Sequence, residues 1–313
     1  MTVHEHLSTF HGLPVAAFEH GTAPTGPVAW RLEVDTYDAE EPFETVWQRF
    51  LATVDTESLT ALVIGAWGEV YEESNSGRHI VDLLVAAKDR FPALTGLFFA
   101  DIIGEEAEIS WIQQGNITPL LREFPKLTEF GVRGGTALEL DPLRHEALRT
   151  LRIETGGLSA SVLRALAESE LPALRELRLW LGVEEYGADW ELSDLAPFLD
   201  GKKFSALRHL GLQNSTQQND IARLVAEADV VPQLETLDLS MGVLTDDGAE
   251  ALLTGQSLTH LKTLDLHHHY LSDKVMTQLR EALEPAGVQV VLDARKEPYV
   301  YNDEPHYYTA IAE

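Results

Sequence analysis

Two groups of residues in this chain could do chemistry, and each recurs at a fixed offset from a repeated leucine signature. Toward the C-terminal end stand Asp238, Asp265, His267 and Asp293, with His209 and His268 in the same pattern. Imidazole nitrogens and carboxylate oxygens a few ångströms apart could hold a divalent cation, or act as acid and base in a hydrolytic step. The plainer alternative is a set of polar strand residues facing water. The spacing is not the helical His-x-x-x-His of zinc proteases. Consecutive residues of a strand alternate faces, so His267, His268 and His269 cannot all converge. With His209 they could instead form a patch that takes up protons near pH 6.5. In the middle of the chain stand Arg133, Arg152 and Arg178, interleaved with Glu129, Glu154, Glu176 and Trp180. Arginine and tryptophan are frequent anchors of protein interfaces. The alternative there is a ladder of ion pairs, three arginines balanced by three glutamates across neighbouring strands.

The elements that must position these residues follow from Leu-x-x-Leu-x-Leu. Clear copies are Leu174-Leu177-Leu179, Leu207-Leu210-Leu212, Leu234-Leu237-Leu239 and Leu261-Leu264-Leu266. Looser copies begin at Ala29, Leu59, Leu94, Leu127, Leu148 and Gly287. The second and third anchors are two apart, which is strand alternation with both side chains on one face. The intervening segments have apolar residues at helical spacing: 44–51, 78–87, 161–168, 220–225, 248–253 and 275–283. Thr245 and Ser272 stand where N-caps of the last two helices belong. Pro92, Pro125, Pro172 and Pro232 each lie two residues before a first anchor, where proline stops a helix. The step from 127 to 148 is too short for a helix and predicts an extended leg around Leu138–Leu143. The step after 174 carries an additional loop, 182–190, of the kind that carries function or merely tolerates insertion.

Strand and helix in alternation, with every strand parallel, predict an α/β fold: a right-handed solenoid, or horseshoe, with a concave parallel sheet and convex helices. It is expected to be one domain over 1–313, with an N-terminal cap and degenerate first repeat over 1–55, repeats over 56–293, and a C-terminal capping tail over 294–313. The tail holds four of the eight tyrosines, too aromatic for a disordered segment, so it should fold back over the last repeat or along the concave edge. Residues between the leucines should face the concave side, on rungs about 4.8 Å apart. They sort into an apolar end with Phe98, an Arg/Glu/Trp centre and an Asp/His end. The candidate partner-binding residues are Phe98, Arg133, Arg152, Glu154, Arg178, Trp180, His209 and Gln213. The candidate metal ligands are Asp238, Asp265, His267 and Asp293.

Composition narrows the function. A net charge of -28, from 23 basic and 51 acidic residues, argues against nucleic acid and against an anionic membrane surface. Such a charge favours a monomer. Cysteine is absent, which removes disulfides, thiol nucleophiles and zinc–thiolate sites. The first residues lack the pattern of a secretory signal, and no apolar run reaches the roughly 18 residues of a membrane span. There is no Walker-type phosphate loop and no Gly-x-Ser-x-Gly elbow. The expected setting is the cytoplasm, and no cofactor is implied.

The stretch 234–252, Leu-Glu-Thr-Leu-Asp-Leu-Ser-Met-Gly-Val-Leu-Thr-Asp-Asp-Gly-Ala-Glu-Ala-Leu, resembles the ribonuclease-inhibitor-type leucine-rich repeat. The family's asparagine, three places after the last strand leucine, is missing: Trp67, Ile102, Gly135, Gly156, Gly182, Ser215, Gly242 and His269 stand there. The cysteines of the vertebrate inhibitors are missing as well, so ribonuclease inhibition does not carry over. The whole chain also resembles a group of bacterial leucine-rich-repeat proteins without assigned biochemistry, the pieces that look alike being Phe10–Val15, Ile109–Gln114 and Leu266–Leu271. That resemblance implies a bacterial cytoplasmic protein and brings no catalytic residue. The expected function is a non-catalytic scaffold that binds a protein partner through its concave face. The alternative is a metal-binding or hydrolytic site at the Asp/His end.

Overall fold

The leucine spacing becomes strand, connection, strand throughout. In the computed structural model, which describes residues 3–18 and 26–313, the chain is an α/β fold with twelve mostly parallel sheet strands in chain order and, among the described residues, eight α-helices. Residues 1–2 and 19–25, parts of the expected N-terminal cap, lie outside the described residues.

The chain divides into two compact units. The first runs to Glu154 and includes Glu168–Ala173. It holds strands β1 (Thr9–Phe10), β2 (Leu13–Ala17), β3 (Ala29–Val34), β4 (Ala61–Trp67), β5 (Gly96–Phe99), β6 (Glu129–Arg133) and β7 (Thr150–Glu154), with helices α1 (Phe43–Thr53), α2 (Arg78–Ala86) and α3 (Thr118–Glu123). The second comprises Thr155–Ala167 and Leu174–Ala312. It holds most of α4 (Ala160–Glu168), then β8 (Glu176–Gly182), α5 (Ala196–Leu199), β9 (His209–Ser215), α6 (Gln218–Val225), β10 (Thr236–Asp238), α7 (Asp246–Thr254), β11 (Thr263–Asp265), α8 (Asp273–Leu283), β12 (Gln289–Val291) and a hairpin of β13 (Tyr299–Tyr301) and β14 (Glu304–His306).

Within each unit the anchors build the core. Leu62, Ile64, Leu97, Phe99, Phe130 and Val132 are fully buried in the first, and Leu210, Leu212, Leu237, Leu239, Leu264 and Leu266 in the second. The helices turn their apolar stripe inward, as α6 does with Ile221, Ala222 and Val225. Ser272 caps α8 by accepting from the Val275 amide at 3.4 Å. Thr245 stands at the N-cap position of α7 but makes no capping bond. Its hydroxyl accepts instead from Asn219 Nδ2 at 2.9 Å, and its amide donates to Asn219 Oδ1, which ties α7 to α6. The connection from β6 to β7 has no helix, and Leu138, Leu140 and Leu143 are buried along it. The 182–190 loop is bound into the second unit: Trp190 is buried, its indole donates to the Leu181 carbonyl at 3.1 Å, and Asp189 accepts from the Ala160 amide.

The N-terminal segment does more than cap an end. β1 and β2 form an antiparallel hairpin, and β2 adds to the sheet in parallel with β3. Phe10 joins Ala29, Ala61, Val63 and Phe98 in a second small core, with Leu7, Leu13 and Val15 packed against it. Val63 and Phe98 lie between anchors, so this core sits on the opposite face of the sheet from Leu62 and Leu97. An arm of the chain covers the face that the sequence predicts to be open.

The tail does fold back. In the second unit Ala310 donates its amide to the Met241 carbonyl at 2.7 Å. The Asn214 side chain clamps Ile311 from both sides, donating to its carbonyl at 2.7 Å and accepting from its amide at 2.9 Å. Among the described residues, no helix is long and apolar enough to cross a membrane.

Phe10→Ala removes the centre of the arm's core. It should destabilise the protein by about 3 kcal/mol in urea unfolding; a loss near zero would mean that the arm is not part of the cooperative fold.

Candidate functional site

In the first unit, pairing brings the residues between the anchors into register: Val63 opposite Phe98, Phe98 opposite Gly131, and Gly131 opposite Arg152. Phe98 is not available to a partner. It is 0% exposed, meets the Phe10 ring edge-on at 5.9 Å, and lies 5.6 Å beneath the Arg133 guanidinium. The glycine rungs follow from this cover. A Cβ on Gly131 would come within 2.4 Å of the Phe98 ring, and one on Gly96 within 2.7 Å of the His11 ring. His11 reaches over Gly96 to Glu129 Oε2 at 2.9 Å and Thr95 Oγ1 at 3.0 Å.

Arg133 is also closed off, at 3% exposure. Its guanidinium donates to Glu154 Oε2 at 2.9 Å, Asp101 Oδ1 at 3.1 Å and the Ile102 carbonyl at 2.8 Å. Glu154 is buried as well, and its other oxygen lies 3.7 Å from Arg152. In this unit Arg133, Arg152 and Glu154 thus form a self-paired network with Arg152 half-exposed, while Glu129, half-exposed as well, pairs with His11 instead of an arginine. Asp101, which the sequence reading missed, is its hub. It is 0% exposed and accepts from the Leu7 amide at 3.1 Å as well as from Arg133. Burial opposes its charge, but His6, Arg133 and the Leu7 amide hold its carboxyl below the usual range.

In the second unit Arg178 faces Gly211, and Trp180 faces Gln213. Arg178 pairs with Glu176 of its own strand at 2.7 Å. Glu176, Arg178, Trp180, His209, Asp265 and His267 all keep part of their surface in solvent. Gln213 does not: it is buried and donates to Ser240 Oγ at 3.0 Å.

The Asp/His candidates take separate roles. Asp238 faces Asp265 across β10 and β11, but it is buried and spends its carboxylate on the amide and hydroxyl of Ser240. Burial pushes its carboxyl up. Asp265 pairs with the His267 ring at 2.9 Å, and that bond pushes the imidazole up. Asp293 is exposed. His268 binds the tail through the Tyr308 carbonyl at 3.0 Å. His269 is fully buried, with Nε2 on the Leu292 carbonyl and Nδ1 accepting from the Leu271 amide. Burial pushes both of these rings down, opposite to His267, so the three do not form one proton-sensitive patch. No three of Asp238, Asp265, His267 and Asp293 bring their ligand atoms within 4.8 Å of one another.

One group among the described residues does meet that criterion: His6, Glu33 and Glu106, all in the first unit. It is made of three segments with no common spacing, and nothing in the sequence pattern links them. Burial alone would lower the His6 pKa. Hydrogen bonds to Asp101 and Glu106 outweigh it and push the ring up to about 9.

No protein-family model matches the chain, and no curated protein matches it. Among solved structures the chain is similar to a Bacteroides fragilis protein determined as a structural-genomics target. The identity is 33% and the TM-score 0.75, over 85% of this chain and 72% of that one.

The raised His6 pKa sets a pH window. The ring is more basic folded than unfolded, so its contribution is complete below the unfolded value of about 6.5 and is lost as pH rises through about 9. In metal-free buffer the His6 ring protons should titrate near pH 9 by NMR, with the Leu7 amide signal moving in step. A midpoint near 6.5 would show that the carboxylates do not hold the ring.

Proposed function

The chain belongs to the family of that Bacteroides fragilis protein, and from this premise we propose that it is a bacterial leucine-rich-repeat protein, acting in the cytoplasm as a monomeric, non-catalytic scaffold. It docks a protein partner on the face of β8–β11. The observation that carries the reading is the state of that face. Trp180, Arg178 and His209 stand there on strands whose anchors are fully buried, with His267 just past the end of β11, and each keeps part of its surface in solvent. An aromatic ring beside a guanidinium on a rigid sheet is the usual composition of an interface hot spot. Phe98 and Arg133 drop out of the recognition surface, because the N-terminal arm and the Asp101 network enclose them. The excess of acidic side chains favours a partner with a basic or mixed-charge surface.

Affinity capture from the native cytoplasm tests this. A partner held by the wild-type chain should be lost from a Trp180→Ala, Arg178→Ala variant, with a cost of about 2 kcal/mol or more in the binding free energy. It should be retained by Lys262→Ala, whose side chain is exposed and paired with Glu235. Equal capture by wild type and the Trp180/Arg178 variant would reject this face.

A further inference from the structure

Three side chains at the root of the N-terminal arm each present one ligand atom to a common point. His6 is on the arm, Glu33 is in β3, and Glu106 follows β5; their ligand atoms all lie within 4.8 Å of one another. A second bond orients each of them. The His6 ring donates from Nδ1 to the Asp101 carbonyl oxygen at 3.0 Å, which leaves Nε2 directed at Glu106 Oε1, 3.4 Å away. A backbone carbonyl on the far ring nitrogen is the usual support of a metal-ligating histidine, because it fixes both tautomer and ring direction. Glu106 accepts from the Ile103 amide through Oε2 at 2.9 Å, leaving Oε1 for the cluster. Glu33 takes a hydrogen bond from Arg31 Nη2 on Oε1. Its Oε2 is buried and accepts no hydrogen bond, although Arg31 Nε stands 2.9 Å away as an ion-pair partner. Gly65 keeps the space open: a Cβ there would lie 2.7 Å from Glu33 Oε2.

We propose that His6, Glu33 and Glu106 bind one divalent first-row transition-metal ion of the zinc or manganese type. One imidazole nitrogen and two carboxylate oxygens form a mixed donor set that such ions accept. Magnesium and calcium, which prefer oxygen shells, fit it less well. Two carboxylates balance the charge of the ion. Arg31 keeps Glu33 Oε1 and Asp101 Oδ2, the latter 3.7 Å from its Nη1, as counter-ions. The ion would join the arm to β3 and to the segment after β5, so binding and arm docking are coupled.

The test is calorimetric titration of the metal-free full chain with zinc chloride and manganese chloride, with magnesium chloride as comparison. One equivalent of zinc or manganese should bind, more tightly than magnesium and more tightly at pH 8 than at pH 6. Glu33→Gln and Glu106→Gln should each weaken binding by about tenfold or more. Both keep the side chain's size, and near-UV circular dichroism checks that they fold. Asp265→Asn, in the second unit, should bind as wild type does. In NMR the His6 ring should respond to zinc before the other histidines. The proposal is overturned if no saturable binding occurs up to about 1 mM metal, the weak end of biological sites. Equal affinity in wild type and in both glutamine variants would also overturn it.

Discussion

A carboxylate with no exposure to solvent has to be neutralised where it sits, and in the first unit Asp101 sets that condition. It collects Arg133, Arg31, His6 and the Leu7 amide around itself. Arg133 then needs further acceptors and finds them in Glu154 and the Ile102 carbonyl. In this way one buried charge fixes the arm, β6 and the end of β7 relative to one another. Removing one member of such a network costs several kcal/mol, because the remaining charge stays buried and unpaired. The apolar core around Phe10 and Phe98 supplies the attraction for the arm, and the charge network supplies its register.

The repeat architecture was legible because it is local. An anchor spacing of two makes a strand, and helical spacing between anchors makes a helix. The register of residues such as Asp238 with Asp265 then follows from counting leucines. The arm was not legible in that way. His11 meets Glu129 across 118 residues, and no periodicity joins two such segments. A signal was nonetheless present. Val63, Gly96, Phe98 and Gly131 stand on a face that an uncovered solenoid would offer to water, and none of them is polar. An apolar stretch of that face implies that something covers it, and here the chain does so itself. Charge pairing was half legible. Equal numbers of Arg and Glu point to self-paired ions, but the burial of Arg133 depends on Asp101, which lies past the end of β5 and outside the repeated strand pattern.

In the second unit the repeats end in a common bend. Asn214, Met241 and His268, each two residues past a final leucine, adopt left-handed backbone, with φ of 59°, 68° and 55°. The tail docks on this bend, using the Asn214 amide, the Met241 carbonyl and the His268 ring in turn. The interior asparagine expected of the ribonuclease-inhibitor type is absent, and other groups meet the buried carbonyls: Gln218 donates to Leu212, and the His269 ring lies on Leu292. What a buried turn requires is a donor at the right place. The identity of the residue that provides it can vary.

The arm's destination also orders events during synthesis. Its partners, Asp101 and Glu129 directly and Glu154 through Arg133, are translated long after Leu7 and His11. A contact that closes a loop of this length comes late, since chain entropy opposes it until the intervening strands have formed. A nascent chain halted before β5 lacks both Phe98 and Asp101, and so leaves the face of β4 and the arm that belongs on it without the core and the charge that join them. Apolar surface left open over that interval is the general condition under which nascent chains aggregate.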